Sequence, residues 1–288
     1  MLRAICYGAL LWGIAASANG KPEEKCNPLS FTKIARSSVY DKYPFGAHES
    51  AKYTLYYGKI HVGHGVLTVK PPVRHKVASS KGKVNLWLMQ FSGDAETGEW
   101  YENIFKGHDS IQAWSNPTDF SISKFYIRQK EKAALNDMVH KEKWLDFNHS
   151  NCQVKVLEKD HGKGKEKREE FWLQQKAIDV LGALYKLRTY DFQINKEEKF
   201  LVYSSEKNWE LSVTPELIEE VETPAGRFTA DKLRLRTYIG KELQQRGDAF
   251  IWIARGKEHP FRPMVKLEAE VSFGSIYLEL EEFKPKKS

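Results

Sequence analysis

From Ala51 the chain alternates apolar and polar side chains with a period of two. Ala51, Tyr53, Leu55 and Tyr57 fall on one face, Gly58-Lys59 supply a turn, and Ile60, Val62 and Val66 return. That pattern predicts a β-hairpin. Val84, Leu86 and Leu88 alternate with Asn85, Trp87 and Met89, as expected of a strand covered on both faces. Between Glu99 and Phe120 the alternation fails, and the reading there is a loop with a helical turn. Strands follow at Ser123–Arg128, at Lys143–Phe147 and from Cys152 through Val156. Asp160–Arg168 has two glycines and no apolar residue, which reads as an exposed loop. Phe171-Trp172-Leu173 is a short strand.

The stretch Ala177–Phe192 changes the period. Ile178, Leu181, Leu184, Tyr185 and Arg188 fall at helical spacing with Val180 and Leu187 beside them, so more than half the circumference is apolar. A helix of that kind is buried, and it is expected over about 177–190. Asp179 at its start and Lys186 and Arg188 at its end suit the helix dipole. Gly182 would let another backbone approach closely. After it, strands are expected at Phe200–Tyr203, Trp209–Val213, Leu217–Val221, Lys232–Thr237, Phe250–Ile253, Val265–Phe273 and around Tyr277–Leu280. Long strands with one dry face imply an antiparallel sheet. Strong curvature or closure protects its edges, so the expected fold is mainly β, a large, strongly curved or barrel-like antiparallel sheet with one buried helix.

The first residues stand apart from this pattern. Met1-Leu2-Arg3, the apolar run Ala4–Ala16 and the A-x-A sequence Ala16-Ser17-Ala18 form a secretory signal peptide, residues 1–18. The run is shorter than the roughly 20 residues needed to cross a bilayer, and no later stretch approaches that length, so no transmembrane segment is expected. Neither Cys6 nor Cys26 follows the small residues of a lipoprotein signal. The product expected is exported, periplasmic or extracellular, and soluble after cleavage near Ala18. Residues 19–42 read as a polar lead-in and 43–285 as a single β-rich domain, long enough for a substantial core. The formal charge of +7 is dispersed, with Lys and Arg alternating with Glu, so no nucleic-acid partner is expected. Cys26 and Cys152 survive processing into an oxidising compartment, where they either pair or are simply buried.

Several segments in order also carry a resemblance. Tyr43-Pro44-Phe45-Gly46 precedes the Tyr-rich hairpin, Ile178–Arg188 reads IDVLGALYKLR, and Glu222–Phe228 reads ETPAGRF. Trp252-Ile253, Arg262-Pro263-Met264-Val265 and Gly274-Ser275 complete the set. The chain from Tyr43 onward resembles the DUF3108 family of exported bacterial proteins, which has no assigned biochemical function. Two departures are visible: Gly182 stands where the family's helix usually has serine, and Gly256-Lys257-Glu258 replaces the usual Asp before the arginine-proline turn. The resemblance implies a barrel-like architecture similar to the YmcC-like fold and a bacterial envelope setting, and it brings no catalytic residue.

Candidate chemistry is sparse. His61 and His64 form an HxxH, but residues three apart on a strand point to opposite faces, so no metal site is expected. No GxSxG marks a nucleophile. Acids such as Glu219, Glu220 and Glu222 sit on wet strand faces, whereas a glycosidase needs two set across a cleft. Asp179, as a helix cap or a partner for Arg188, and His259 before Pro260 are candidates for a polar site. Tyr53, Tyr57, Trp87, Trp172, Trp209 and Trp252 lie in predicted strands and are candidates for lining a concave binding surface. The reading is a non-enzymatic envelope protein without a cofactor that binds a lipid, a glycan or an envelope protein. The alternative is a hydrolase of envelope polysaccharide or peptidoglycan, which a titratable cluster in a pocket would favour; an apolar lumen would favour binding.

Overall fold

The computed structural model describes residues 26–27, 31–79, 82–98, 105–133, 138–245, 247–256, 259–271 and 274–286. The expected signal peptide lies outside them, as do residues 19–25 and 28–30 of the lead-in.

One 15-stranded antiparallel sheet carries the fold. Its strands are β1 (Ser50–Tyr57), β2 (Ile60–Ser79), β3 (Gly82–Thr97), β4 (Phe105–Ser115), β5 (Ile122–Ala133), β6 (Val139–Asn148), β7 (Gln153–Asp160), β8 (Lys165–Trp172), β9 (Glu198–Ser204), β10 (Lys207–Thr223), β11 (Gly226–Ile239), β12 (Glu242–Leu243), β13 (Ala249–Ala254), β14 (Met264–Val271) and β15 (Gly274–Lys284). The helix α1 (Val180–Leu187) falls between β8 and β9. Successive hairpins run from β1 to β8; on its other side β1 pairs with β15, and the sheet continues through β14, β13, β11 and β10 to β9. The connection through α1 therefore joins the two free ends of the sheet.

Those ends meet at a seam without a ladder between β8 and β9 among the described residues. Side chains close it. Phe147 of β6 meets Tyr203 of β9 edge to face with ring centroids 5.2 Å apart. Asn208 accepts from the Gln174 backbone N–H at 2.8 Å and donates to the Trp172 carbonyl at 3.2 Å. Lys143 Nζ lies 2.6 Å from Glu206 Oε1, linking β6 to the β9–β10 turn. The segment leading into the helix crosses the interior: Ile178 forms a parallel bridge with Val202, and the Ile122 N–H donates to Ala177 O at 3.0 Å.

The helix is shorter than its periodicity suggests, eight residues against an expected run of 177–190. Ala177 and Ile178 spend their backbone groups on β5 and β9, and Asp179 then starts the helix by accepting from Leu181 N and Gly182 N at 2.9 and 3.0 Å. Gly182 is required here for a local reason: a Cβ would lie 2.9 Å from Asp179 Oδ2, crowding the capping carboxylate. One side of α1 docks on an aromatic wedge, with Tyr185 stacked on Phe91 at 4.2 Å and edge-on to Phe45 at 5.1 Å.

Three further expectations are corrected. Residues 105–115, read as part of a loop, form β4, and polar inner-face residues such as Asp109 and Ser115 hide its alternation. Lys165–Arg168, also read as loop, begins β8, where charged side chains suit an unpaired edge. The body begins before Tyr43, because Val39 and Tyr40 are core residues and the Tyr40 hydroxyl donates to Lys70 O at 2.9 Å. Cys26 is disulfide-bonded to Cys152, Cα–Cα 5.8 Å, fixing this N-terminal segment to the turn before β7.

Candidate functional site

Two adjoining chambers open beside the first turn of α1, with Val180 and Ser204 in the walls of both. The first, about 120 Å³, lies between the helix and the inner face of β9–β14. Ala183, Leu184 and Leu187 form its helix wall, with Trp209, Ile251 and Leu267 opposite. Ser204, Thr237 and Gln245 are its polar lining residues, and none of its lining side chains is ionisable. This chamber follows from strand alternation: Trp209 and Leu211 on β10, Leu235 on β11 and Ile251 on β13 turn to one side of the sheet.

The second chamber, about 240 Å³, lies along the seam. Its wall changes character along β6 and β7. Leu145 and Phe147 pair with Val156 and Val154, whereas Lys143 and Lys141 pair with Glu158 and Asp160. Lys143 bridges Glu158 at 3.1 Å and Glu206 at 2.6 Å, and Lys141 reaches Glu158 at 3.2 Å. Burial disfavours the Lys143 charge, but the two carboxylates outweigh it and hold its pKa above the ordinary lysine value. Tyr203 also lines this chamber, while its hydroxyl is sealed from solvent and has no hydrogen-bond partner among the described residues.

The residues singled out by type do not converge. Of the six aromatics, Trp209 lines a chamber, and its Nε1 donates to Ser204 O at 2.8 Å. Trp252 points the other way from its neighbour Ile251, and Lys232 and Lys266 lie over its ring at 5.2 and 4.9 Å. Tyr53 is buried and donates to Met264 O at 3.1 Å, Tyr57 packs over Gly274, and Arg36 lies over Trp87. Trp172 sits on the edge strand β8, half-buried.

Asp179 and Arg188 stand at opposite ends of α1 and are not an ion pair. Ser115 Oγ donates to Asp179 at 3.2 Å, and burial pushes the Asp179 carboxyl up to about 6 against these hydrogen bonds. Arg188 instead forms two bonds to Glu49, at 2.6 and 3.0 Å, and donates to Phe261 O and Arg262 O. His259 opens that same turn, accepting at its carbonyl from Arg262 N, with its ring 4.8 Å from Phe228.

The face assigned to the two histidines is also corrected. A bulge in β2 pairs Leu55 with Gly63 and Tyr56 with His61, and the extra residue turns both rings to one side, centroids 4.7 Å apart. His64 Nδ1 lies 3.1 Å from Glu281. Among the described residues no group of three or more His, Cys, Asp or Glu is arranged to hold a metal.

One carboxyl pair gave no signal in the sequence. Asp109 and Glu131 are both buried on β4 and β5, and burial together with Glu131 pushes Asp109 up to about 7. This folded value lies above the unfolded one of about 3.9. Its contribution to stability is thus full below pH ~4 and is lost as pH rises through about 7. Asp109→Asn is therefore expected to remove part of the decline in urea stability between about pH 5 and pH 8. Parallel curves for variant and wild type would take Asp109 out of that titration.

The geometry defines a class first: a barrel-like antiparallel sheet wrapped around a helix, with two chambers beside that helix. A solved structure described as β-barrel-like, the DUF1849 protein of Brucella abortus, superposes with a TM-score of 0.52 at 9% identity, over 84% of this chain and 99% of that one. The family model described as a protein of unknown function, DUF3108, matches residues 52–281, and the chain belongs to that family. Looser likenesses, too loose to bear on the fold, are to a protein of Bacteroides fragilis described as exported with a YmcC-like fold (TM-score 0.32, 14% identity, 84% of this chain and 98% of that one) and to one of Parabacteroides distasonis described as a lipoprotein (0.31, 12%, 84% and 98%). A comparison with curated proteins finds no match. No helix among the described residues is long and apolar enough to cross a membrane.

Proposed function

We propose that this protein is an exported, non-catalytic binding protein of the bacterial envelope, and that its ligand is a lipid whose hydrocarbon chain enters the chamber between α1 and β9–β14. The observation that carries this reading is the composition of that chamber, aliphatic on nearly every side and without an ionisable group. An apolar lining rewards burial of methylene groups and leaves a glycan's hydroxyls unpaired. At roughly 10–15 Å³ for each water-sized group, the volume suits about ten such groups, the scale of one acyl chain. Export is supported by the leader pattern at Met1–Ala18.

Trp209 supplies the test. Titration with a fatty acid brominated along its chain is expected to quench tryptophan emission saturably, because bromine in the chamber comes into contact with the Trp209 ring. In Trp209→Phe most of that quenching should disappear while calorimetry still detects binding. Absence of saturable quenching and of calorimetric heat in the wild type would end the acyl-site reading.

A further inference from the structure

His61 and His64 line neither chamber. The bulge in β2 sets their rings side by side at the surface of the sheet, His61 exposed and His64 with 30% of its side chain exposed. Bulges are a recurrent means of re-aiming a side chain toward a site. Each ring already has one nitrogen engaged. His61 Nε2 lies 3.0 Å from Gly63 O, and only an N–H bonds a carbonyl, so the neutral ring keeps its lone pair on Nδ1. His64 Nδ1 lies 3.1 Å from the Glu281 carboxylate, which leaves the lone pair of that ring on Nε2.

Two details suit these lone pairs to a single metal ion. The first is spacing: the rings meet at 69° with centroids 4.7 Å apart. Two imidazole nitrogens on one ion, each about 2.0–2.1 Å from it at an angle between square and tetrahedral, put ring centroids roughly 4.5–5 Å apart. The second is the support behind His64. Glu281 is itself held by Lys52 Nζ at 2.7 Å and Thr54 Oγ1 at 3.3 Å, so the carboxylate that orients the ring is fixed. A carboxylate accepting the outer N–H of an imidazole is the arrangement that orients a metal-ligating histidine and raises its basicity.

We infer that His61 Nδ1 and His64 Nε2 chelate one divalent late first-row transition ion, with Cu2+ bound most tightly. Imidazole nitrogens select this class over Ca2+ and Mg2+, which take oxygen ligands, and Cu2+ heads the affinity order of such sites. Among the described residues no third His, Cys, Asp or Glu closes the site, so water holds the remaining positions. The bound ion ties together the two sides of the β2 bulge. The inference is independent of the acyl chamber.

The test uses the exported protein purified without a polyhistidine tag. Calorimetric titration with Cu2+ is expected to show saturable binding, weaker for Ni2+ and Zn2+ and not displaced by a large excess of Mg2+. The copper-loaded protein should give an electron paramagnetic resonance spectrum with splitting from two nitrogens. His61→Gln and His64→Gln are each expected to weaken Cu2+ binding at least tenfold, and Glu281→Gln, which keeps both ligands, about tenfold. The double variant His61→Gln, His64→Gln should lose one equivalent of Cu2+, while its metal-free melting temperature stays at the wild-type value because both rings lie at the surface. Absence of saturable binding or a spectrum with one nitrogen overturns the site. So does unaltered binding in the double variant, which would assign the ion to another pair such as His140 and His161, whose rings lie 4.4 Å apart.

Discussion

Replacing Glu49 by alanine is expected to lower the stability of the protein by about 3–5 kcal/mol, because it leaves the Arg188 guanidinium buried without its carboxylate. Both side chains are nearly sealed from solvent, Arg188 at 4% and Glu49 at 1% exposure. Arg188 also lies over the rings of Phe45 and Tyr185, at 5.3 and 5.2 Å, which cover the guanidinium on its apolar side. The pair joins three distant parts of the chain: the residue before β1, the C-terminal end of α1 and the turn between β13 and β14. For a chain of this size the loss corresponds to a drop in melting temperature of about 10 °C. Glu49→Met combined with Arg188→Met should recover part of it, since removing both charges ends the desolvation penalty and leaves only the carbonyls of Phe261 and Arg262 without their donor. A single-variant loss below about 1 kcal/mol, the range of an exposed pair, would show that Arg188 reaches water.

What the sequence makes legible is whatever depends on local spacing. The hairpin at Gly58-Lys59, the paired alternation of β10 and β11, and the apolar circumference of α1 all follow from neighbours a few residues apart. Illegible features depend on distant partners or on a single added residue. β4 escapes notice because its inner face spends positions on Asp109 and Ser115, whose partners Glu131 and Asp179 lie on other elements. The His61–His64 pair is misread because one bulge residue, Val62, reverses the face on which the count depends. The aromatics are a different case. Choosing them by residue type gathers Trp209 and Trp252 into one class, yet Ile251 and Ile253 on either side of Trp252 are fully buried and mark it as turned away from the cavity. Lys143 could not be grouped with Tyr203 and Glu206 from sequence, since β6 meets the β9–β10 hairpin only across the seam.

Leu184→Asp carries the second large expected effect, a destabilisation of about 4 kcal/mol or more. It combines the loss of a buried leucine, 2–5 kcal/mol for truncation alone, with the cost of placing a carboxylate among apolar side chains. Leu184 is 5% exposed and faces Ile251, Leu267 and Trp209 across the apolar chamber, where no lining group can donate a charge-assisted bond. The nearby chamber volume works in the opposite direction, because an aspartate there has room to take its proton and some water with it. For that reason the cost should depend on pH, smaller near pH 5 than near pH 8, as a carboxyl protonates more readily in the folded state than in the unfolded one. Leu184→Met fills similar volume without charge and should cost less than about 1.5 kcal/mol. The comparison separates two descriptions of α1. If Asp and Met variants unfold at the same urea concentration at pH 8, the helix face at Leu184 is open to water and the chamber is a surface groove. If they differ by several kcal/mol and converge on acidification, Leu184 borders a sheltered apolar interior of the kind an acyl chain requires.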